Sequence, residues 1–557
     1  MLAVLAAQGV SVLGPQVLRF AVDDLTVSAS AEKFAVYGAL IVLIASVEGF
    51  FRFWMRRLLI GVSRHVELEL RNDLFSHLVR MSPSFYNRWR TGDLMSRATN
   101  DVGAVRMVLG PGIMYPAETI VVTVASIAFM IAIDLELTLV SLALMPAVSI
   151  AVKKFGAAIH ARFEAIQAKM SDVSVLVQEN LSGIRVVKAY AQEKAEEEKF
   201  ARENQEYLRM NVGLVKIWGL FFPLLTVLIG LAAVLVLFRG GLRVTRGELT
   251  LGQLVAFFAY LSMLTWPMVA FGWVVNIYQR GAASMKRLAG ILDETPDLTD
   301  APAPGPLPEV EGRVQFKNVS FRYDGKTVLQ NIDLEVAPGE TVAIVGRTGS
   351  GKSTLVGLIP RLYDVTQGEL LVDGIDVRRL PLAHLRGAVG FVPQETFLFS
   401  DTLAHNIAFG RPDAALEDVP SAAAVAGLSG DVEEFPQGFD TLVGERGITL
   451  SGGQKQRATL ARALLMDPKI LILDDSLSSV DTETEERILS ELRGVLRKRT
   501  AIVVSHRVST VKDADHIVVL DEGRIVERGR HEDLLALDGI YAGLHRKQLL
   551  EEELERI

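Results

Sequence analysis

The sequence predicts an integral membrane protein in two parts: a six-helix transmembrane domain with long cytoplasmic extensions, followed by an α/β domain. Three observations lead to this fold class. Half of the 557 residues are apolar and only 22% are charged. The mean hydropathy is +0.29, so the chain is more apolar than an ordinary soluble protein. Apolar stretches of membrane-spanning length all lie before residue 290. After residue 312, β-rich runs alternate with helical ones.

The composition also excludes several classes of protein. The apolar content excludes a disordered chain. The absence of cysteine excludes a disulfide scaffold, thiol catalysis and cysteine metal sites. The net charge of −8 argues against nucleic acid as the main partner.

Six apolar stretches in the first half have the length of a membrane span. They are Leu2–Val22, Phe34–Ile60, Gly112–Ile133, Leu137–Lys154, Val215–Phe238 and Leu251–Tyr278. The first lacks the basic start of a signal peptide, so we interpret it as an uncleaved span, with a cleavable leader as the weaker alternative.

The connections between the spans predict the orientation in the cell membrane. Residues 61–111 and 155–216 form two long connections with helical periodicity and many arginines. The positive-inside rule therefore places them, and the N-terminus, in the cytoplasm. Arg239, Arg243 and Arg246 after the fifth span disagree with this orientation, but two long basic segments outweigh one short loop.

We expect three regions along the chain. Residues 1–290 form the transmembrane domain, residues 291–312 a Pro/Ala-rich linker, and residues 313–557 the α/β domain. The centre of the linker, Ala301–Pro308, reads APAPGPLP, which is typical of a semi-rigid spacer.

The second domain contains a motif typical of phosphate-binding loops. It matches the pattern GxxxxGK[ST] and consists of Gly346, Arg347, Thr348, Gly349, Ser350, Gly351, Lys352 and Ser353. The apolar run Thr341–Val345 precedes it and a helical run beginning at Thr354 follows, which is the context that the motif requires. We expect backbone N–H groups to bind phosphate, Lys352 to contact the β- and γ-phosphates, Ser353 to bind Mg²⁺, and Thr354 to contact the nucleotide. A glycine-rich turn with an incidental lysine is the alternative that this context disfavours.

Two further motifs strengthen this interpretation. The apolar run Ile470–Leu473 predicts a strand buried on both faces, and it ends in Asp474 and Asp475, where a carboxylate can hold Mg²⁺. A turn reading LSGGQ, with Ser451, Gly452, Gly453 and Gln454, precedes a helical run and predicts a second phosphate-binding surface. Either both surfaces close on one phosphate group, or each serves a different site in a dimer.

The order of these motifs, together with Val504-Ser505-His506-Arg507, resembles that of ATP-binding cassette (ABC) proteins. The whole chain is similar to a half-transporter of the type IV ABC exporters. Phe85–Leu94 resembles the first coupling segment of that family, and Glu179–Arg185 lies near the second.

The resemblance implies that two ABC nucleotide-binding domains meet head to tail and enclose ATP between one P-loop and the other chain's LSGGQ. It implies that Tyr323 stacks on adenine, that Gln394 contacts Mg²⁺ and the attacking water, and that His506 bonds the γ-phosphate. It also implies that Asp481 lines the dimer seam and that Gly444–Gly447 touches the partner's coupling helices. Plain packing or surface roles are the alternative for each of these residues.

One residue departs from the family pattern. Glutamate normally follows the Mg²⁺ aspartate and polarises the attacking water, whereas this chain has Asp475. Its side chain is one methylene shorter, and a misplacement of about 1 Å can cost on the order of a hundredfold in rate. We therefore expect a heterodimer in which this P-loop site hydrolyses ATP poorly and this LSGGQ completes the partner's site. The alternative is a homodimeric lipid or multidrug flippase that tolerates Asp475.

The resemblance implies export of amphipathic drugs, peptides or lipids. A nucleotide-gated regulatory ABC protein is a further alternative, disfavoured because the chain lacks a long regulatory insert. Carboxylates in membrane spans are costly, so Glu48 and Glu118 suggest cationic or amphipathic cargo, with helix packing as an equal alternative. Candidate cavity side chains are Phe221, Phe222, Phe257, Phe258, Met263, Trp266 and Trp273, with Pro267 as a kink.

Overall fold

The computed structural model describes residues 1–300, 307–415, 417–444, 447–477 and 482–555. The chain forms two compact units: Met1–Val79 with Arg90–Glu294, and Arg80–Trp89 with Thr295–Ile557. The segment Arg80–Trp89, from the middle of the first half, thus belongs to the second unit, which a linear division near residue 290 does not foresee. Most of the predicted linker core, 301–306, lies outside the described residues.

The first half of the chain is helical. Its helices are α1 (Leu2–Ser11), α2 (Gly14–Val27), α3 (Ala31–Arg80), α4 (Pro83–Arg88), α5 (Thr91–Ser96), a π-helical turn (Arg97–Asp101), α6 (Val102–Leu109), α7 (Pro111–Ile133), α8 (Leu135–Leu142), α9 (Met145–Ser182), α10 (Ile184–Ala189), α11 (Glu193–Thr245), α12 (Leu251–Met263) and α13 (Thr265–Leu292).

Within the described part of the chain, six helical segments are long and apolar enough to cross a membrane. They are Leu2–Val27, Ala31–Arg80, Thr91–Ile133, Leu135–Ser182, Glu193–Thr245 and Leu251–Leu292. Each predicted span lies within one of these segments. The helical periodicity of the two long connections is also confirmed, because α3, α9 and α11 continue well beyond the predicted spans.

Two of the three arginines that disagree with the predicted orientation, Arg239 and Arg243, form ion pairs in the first unit. The Arg243 guanidinium pairs with Asp134 and lies 3.2 Å from both Glu136 and Glu248. Arg239 lies 3.8 Å from Glu136. The pairs with Asp134 and Glu136 join the start of α8 to the end of α11, so helix pairing accounts for these two arginines.

The first and last spans are joined by a close backbone approach. Thr250 caps α12, and its hydroxyl and the Gly252 N–H each donate a hydrogen bond of 2.8 Å to the Asp23 carboxylate. A Cβ atom at Gly252 would lie 2.2 Å from the Arg19 carbonyl oxygen. Position 252 therefore requires glycine for packing of α2 against α12.

We predict that Gly252→Ala destabilises the transmembrane unit by about 1–3 kcal/mol, because the added methyl group overpacks this contact. Thermal unfolding of the detergent-solubilised protein measures the effect. Gly272→Ala in α13 is the matched control, because a Cβ atom there meets nothing within 4 Å. Equal unfolding temperatures for the two variants would contradict the prediction.

The second half alternates strands and helices. The strands are β1 (Val314–Tyr323), β2 (Lys326–Val336), β3 (Thr341–Val345), β4 (Gln367–Val372), β5 (Ile375–Asp376), β6 (Val389–Val392), β7 (Ile470–Asp474), β8 (Thr500–Val504), β9 (His516–Asp521) and β10 (Arg524–Gly529). The helices are α14 (Lys352–Gly357), α15 (Leu382–Gly387), α16 (Leu403–Ala408), α17 (Asp418–Val425), α18 (Ser429–Glu434), α19 (Gly452–Leu465), α20 (Thr482–Leu496), α21 (Val508–Val511), α22 (His531–Ala536) and α23 (Ile540–Glu555), with short 3₁₀ turns at Val377–Arg379 and Gly438–Asp440.

Two sheets organise this unit. The larger has the order β10-β9-β3-β8-β7-β6, with every pair parallel except β10 with β9. The smaller antiparallel sheet has the order β2-β1-β4-β5. Alternate residues of β7 face two different cores: Leu471 and Leu473 pack into one, and Ile470 and Ile472 into the other. The prediction that this strand is buried on both faces is confirmed.

Candidate nucleotide-binding site

The residues predicted to bind phosphate and Mg²⁺ and to act in catalysis meet at one edge of the larger sheet. The strands β3, β8, β7 and β6 are adjacent and parallel, so their carboxyl ends lie side by side. The P-loop follows β3, His506 follows β8, Asp474 ends β7, and Gln394 follows β6. The carboxyl edge of a parallel sheet is where α/β proteins bind ligands.

Glycine conformation shapes the P-loop. Gly346 has φ of 155°, and a Cβ atom there would lie 2.1 Å from the Leu520 carbonyl oxygen. Gly351 has φ of 101° at the start of α14. These positions exclude side chains, so the backbone itself forms the loop surface. The buried Ser350 hydroxyl has no hydrogen-bond partner among the described residues, which fits a polar ligand such as a phosphate group.

Lys352 is buried beneath this loop, with 6% of its surface exposed. Its ammonium donates to the carbonyl oxygens of Gly346 at 2.9 Å and Arg347 at 3.0 Å. Burial lowers the pKa of Lys352, and the negative charges of Asp475 and Asp474 oppose that shift. A phosphate bound to the loop would add the negative charge that this buried cation needs.

The residues predicted to bind Mg²⁺ lie together. The Ser353 hydroxyl donates to the Asp474 carboxylate at 3.1 Å. Burial raises the pKa of Asp474, and the Ser353 hydrogen bond opposes that shift. A hydroxyl and a carboxylate are hard oxygen donors, and Mg²⁺ in nucleotide sites takes one or two such protein ligands besides phosphates and water. The two side chains therefore fit Mg²⁺ bound with a nucleotide.

Asp475 lies next to this pair in a left-handed backbone conformation, with φ of 47°. Its N–H donates to the Val504 carbonyl oxygen at 2.9 Å, which fixes the turn after β7. The Gln394 amide donates to the Asp475 carboxylate at 3.5 Å, the long end of the hydrogen-bond range. His506 lies close enough to lower the pKa of Asp474. The structure thus brings together the predicted catalytic and metal residues.

The predicted adenine platform, Tyr323, ends β1. Burial raises the pKa of Tyr323, and the Thr354 hydroxyl opposes that shift. Its ring contacts Phe321 edge-on at 4.7 Å and Tyr363 at 5.2 Å between ring centres. Thr354, predicted as a nucleotide contact, thus lies beside the Tyr323 phenol.

Two family models match the chain: the ABC transporter transmembrane region over residues 1–268 and the ABC transporter domain over residues 329–478. The multidrug resistance-like ATP-binding protein MdlA of Escherichia coli K12 is 40% identical, covering 97% of this chain and 92% of that protein. The probable multidrug resistance ABC transporter protein YheI of Bacillus subtilis is also 40% identical, with 98% and 94% covered.

This chain belongs to the ABC transporter family. The ATP-dependent lipid A-core flippase of Syntrophus aciditrophicus is 37% identical, with 96% of this chain and 89% of that protein covered. The solved structure of a bacterial Atm1-family ABC exporter with ATP bound superposes with a TM-score of 0.79 at 31% identity, covering 98% of this chain and 97% of that one. The chain is therefore an ABC exporter half-transporter of the type IV fold, a multi-pass membrane protein whose ATP-binding domain is cytoplasmic.

The LSGGQ turn of the exporter is held by its own side chains. Ser451 caps α19, accepting from the Gln454 N–H at 3.3 Å, and the Gln454 carbonyl accepts from the Ser451 N–H at 2.9 Å. The Gln454 amide also donates to Asp431 at 2.9 Å, and Arg457 donates to the same carboxylate at 2.6 Å. Both ends of the Gln454 amide thus bind protein, so its contacts are those of a residue that shapes the turn.

Several residues predicted to contact the partner lie outside the described part of the chain. Asp481 lies outside the described residues, as do Glu445 and Arg446 within the segment Gly444–Gly447. Conversely, sequence reasoning missed Asp431 and Tyr363. No spacing signal marks Asp431, because it lies on α18 rather than in the LSGGQ motif.

The transmembrane unit of the exporter contains an apolar cavity of about 200 Å³. Its lining comes from α8, α9, α11, α12 and α13: Ser141, Leu144, Val148, Val152, Phe222, Leu225, Thr226, Leu228, Ile229, Ala232, Leu261 and Thr265. Of the aromatic side chains predicted to line a cavity, Phe222 does so. Phe257 is instead fully buried in the helix core, and Trp273 packs edge-on against Tyr115 at 5.0 Å.

The two carboxylates of the spans have partners within the exporter's first unit. Glu118 accepts a hydrogen bond from Gln8 at 3.0 Å, and Glu48 pairs with Arg52 at 2.5 Å one helical turn away. These contacts favour the helix-packing alternative over a direct role in binding cationic cargo.

We predict that Lys352→Ala weakens ATP binding by at least about tenfold, because it removes the buried cation that faces the phosphates. Binding of a fluorescent ATP analogue to the purified exporter measures the effect. Lys317→Ala on the exposed face of β1 is the control and should leave binding unchanged. Unaltered affinity in Lys352→Ala would contradict the assignment of the site.

Proposed function

We propose that this chain is one half of a heterodimeric exporter. Its own P-loop site binds ATP with Mg²⁺ and hydrolyses it slowly, and its LSGGQ turn completes a faster site on a second half-transporter. The single observation that carries this proposal is Asp475, the shorter carboxylate at the position that polarises the attacking water.

The contacts of Asp475 support slow hydrolysis. Its carboxylate reaches the Gln394 amide only at 3.5 Å, so the two groups that act on the attacking water are loosely joined. The left-handed conformation at φ of 47° suits aspartate better than a longer side chain, because aspartate and asparagine adopt it most readily. The site therefore keeps every group for binding while the group that would activate water is withdrawn.

The LSGGQ turn, hereafter the signature turn, supports the second part of the proposal, that this chain completes a site on its partner. The reciprocal hydrogen bonds of Ser451 and Gln454 and the Asp431–Arg457 pair give it a fixed shape. Gly452 is exposed and leaves the backbone at the start of the turn accessible to phosphate, whereas Gly453 is buried. This surface is intact, so the chain can complete a working site on a partner that carries glutamate after its Mg²⁺ aspartate.

For the cargo, we propose amphipathic compounds such as drugs or lipids. The cavity of the transmembrane unit is lined mostly by apolar side chains, which bind cargo by burial of apolar surface. The relatives are multidrug resistance-like proteins and a lipid A-core flippase, which favours the same class of cargo.

We predict that Asp475→Glu raises the ATP turnover of the purified chain about ten- to a hundredfold, because it returns the carboxylate to the attacking water. Release of phosphate from ATP measures it. Asp475→Asn, which removes the charge at constant size, should give no gain. An ATP-binding measurement on each variant separates turnover from affinity.

Fast turnover by the unmodified chain alone, with no gain in Asp475→Glu, would reject the slow site. It would favour the homodimeric alternative, in which two identical P-loops and signature turns form two equal sites.

We predict that Ile229→Trp reduces transport of an amphipathic dye, because the indole fills the cavity of about 200 Å³. Uptake of ethidium and of a fluorescent phospholipid into inside-out vesicles measures transport. Val227→Trp is the matched control, because Val227 lies on the same helix, is 64% exposed and is outside the cavity lining. Equal uptake in the two variants would rule out this cavity as a cargo site.

A further inference from the structure

The short helix α4, which lies in the first coupling segment, is anchored at both ends within the second unit. At its start, the Ser82 hydroxyl donates to the Asp297 carboxylate at 2.9 Å, and Ser84 donates to the same oxygen. At its last turn, the Asn87 amide donates to the Tyr363 hydroxyl at 3.4 Å. The helix is therefore held by two separate polar contacts.

The contact with Asp297 is a firm anchor. The hydrogen bonds from Ser84 and Ser82 lower the pKa of Asp297, and burial only partly opposes them. Asp297 follows the end of α13 and precedes Asp300, whose carboxylate accepts from the Leu382 N–H at 2.8 Å. This anchor thus joins the start of α4 to a chain segment that is itself fixed to the domain.

The contact with Tyr363 differs, because Tyr363 also touches the predicted adenine platform. The Tyr323 and Tyr363 rings meet edge to face, with centres 5.2 Å apart and planes at 89°. Buried Phe321 supports both rings, at 4.7 Å and 5.6 Å. Edge-to-face contacts are directional, so the orientation of one ring constrains that of the other.

The loop that carries Tyr363 is held by an ion pair. Arg361 has φ of 51° and is 2% exposed, and its guanidinium forms two hydrogen bonds with Asp364, at 2.7 and 3.1 Å. A cavity of about 220 Å³ lies beside the rings and is bordered by Ser82, Ser84, Asn87, Asp297, Tyr323 and Tyr363 among others. The ring of Tyr363 therefore has a fixed backbone and open space beside it.

We propose that Tyr363 is a positioning residue that couples the adenine platform to α4. A base stacked on Tyr323 fixes that ring, the fixed ring holds Tyr363, and the Tyr363 hydroxyl holds Asn87. The inference rests on the proposed role of Tyr323 and adds a specific route by which bound nucleotide orders the coupling segment. Because coupling is reciprocal, α4 held by Tyr363 also favours bound ATP.

Hydrogen exchange of the peptide that covers α4 tests the proposal on the full-length protein in detergent, with and without ATP in EDTA. In the unmodified protein, ATP should slow exchange of the α4 amides. Tyr363→Phe keeps the ring and removes the hydroxyl, and it should abolish most of this ATP-dependent slowing. Asn87→Ala should do the same, and the double variant should be no worse than either single one.

Ser82→Ala is the matched control, since it weakens the anchor that does not touch the platform. It should speed exchange equally with and without ATP and leave the ATP-dependent difference intact. A structural role for Tyr363 alone would give that same result in Tyr363→Phe and would overturn the proposal. Absence of any ATP effect in the unmodified protein would also overturn it.

ATP binding by Tyr323→Ala separates this proposal from the role on which it depends. Unchanged affinity would show that Tyr323 is not the platform, which removes the basis of the coupling. Weakened affinity together with unaltered slowing in Tyr363→Phe would leave the platform in place and reject Tyr363 as its link.

Discussion

The burial of one cation governs the second unit. Lys352 lies inside the protein with hydrogen bonds to carbonyl oxygens of its own loop, opposite the carboxylates of Asp474 and Asp475. Burial of unbalanced charge is costly, and the loop that covers the lysine is shaped by glycines that leave the backbone bare. Such a site is stabilised by a ligand that carries negative charge and brings its own metal ion, as a nucleotide triphosphate with Mg²⁺ does.

The parallel sheet brings the other predicted groups close to this buried lysine. Predicted groups lie at or directly after the carboxyl ends of the strands β3, β8, β7 and β6, so no long segment is needed to bring them together. The strand interiors are apolar and buried on both faces, which makes the frame rigid. The groups differ mainly in how firmly they are held: Ser353 and Asp474 are hydrogen-bonded at 3.1 Å, whereas Gln394 and Asp475 meet only at 3.5 Å.

The sequence predicts those parts that local pattern encodes. Apolar length identifies the six spans, the glycine spacing identifies the P-loop, and the apolar run before Asp474 identifies a buried strand. Contacts between distant segments have no such signature. The union of Arg80–Trp89 with the second unit depends on Asp297 and Tyr363, each more than two hundred residues away in the chain. The hydrogen bonds that occupy the Gln454 amide likewise depend on Asp431, outside the motif.

The long Gln394–Asp475 contact and the well-held LSGGQ turn are both relevant to the proposed asymmetry between the two ATP sites. In the proposed heterodimer, a nucleotide held between the two chains joins them until it is hydrolysed, so slow hydrolysis at one site prolongs the contact between the two nucleotide-binding domains. The faster site can then complete its cycle without full separation of the partners. Under this arrangement the two features of the chain have complementary roles. The weak contact of Asp475 lets the chain retain nucleotide at its own P-loop, and the LSGGQ turn presents a preformed phosphate-binding surface to the partner. In the proposed coupling, the Asp297 contact holds the start of α4 on the second unit, and the end of α4 near Tyr363 responds to nucleotide.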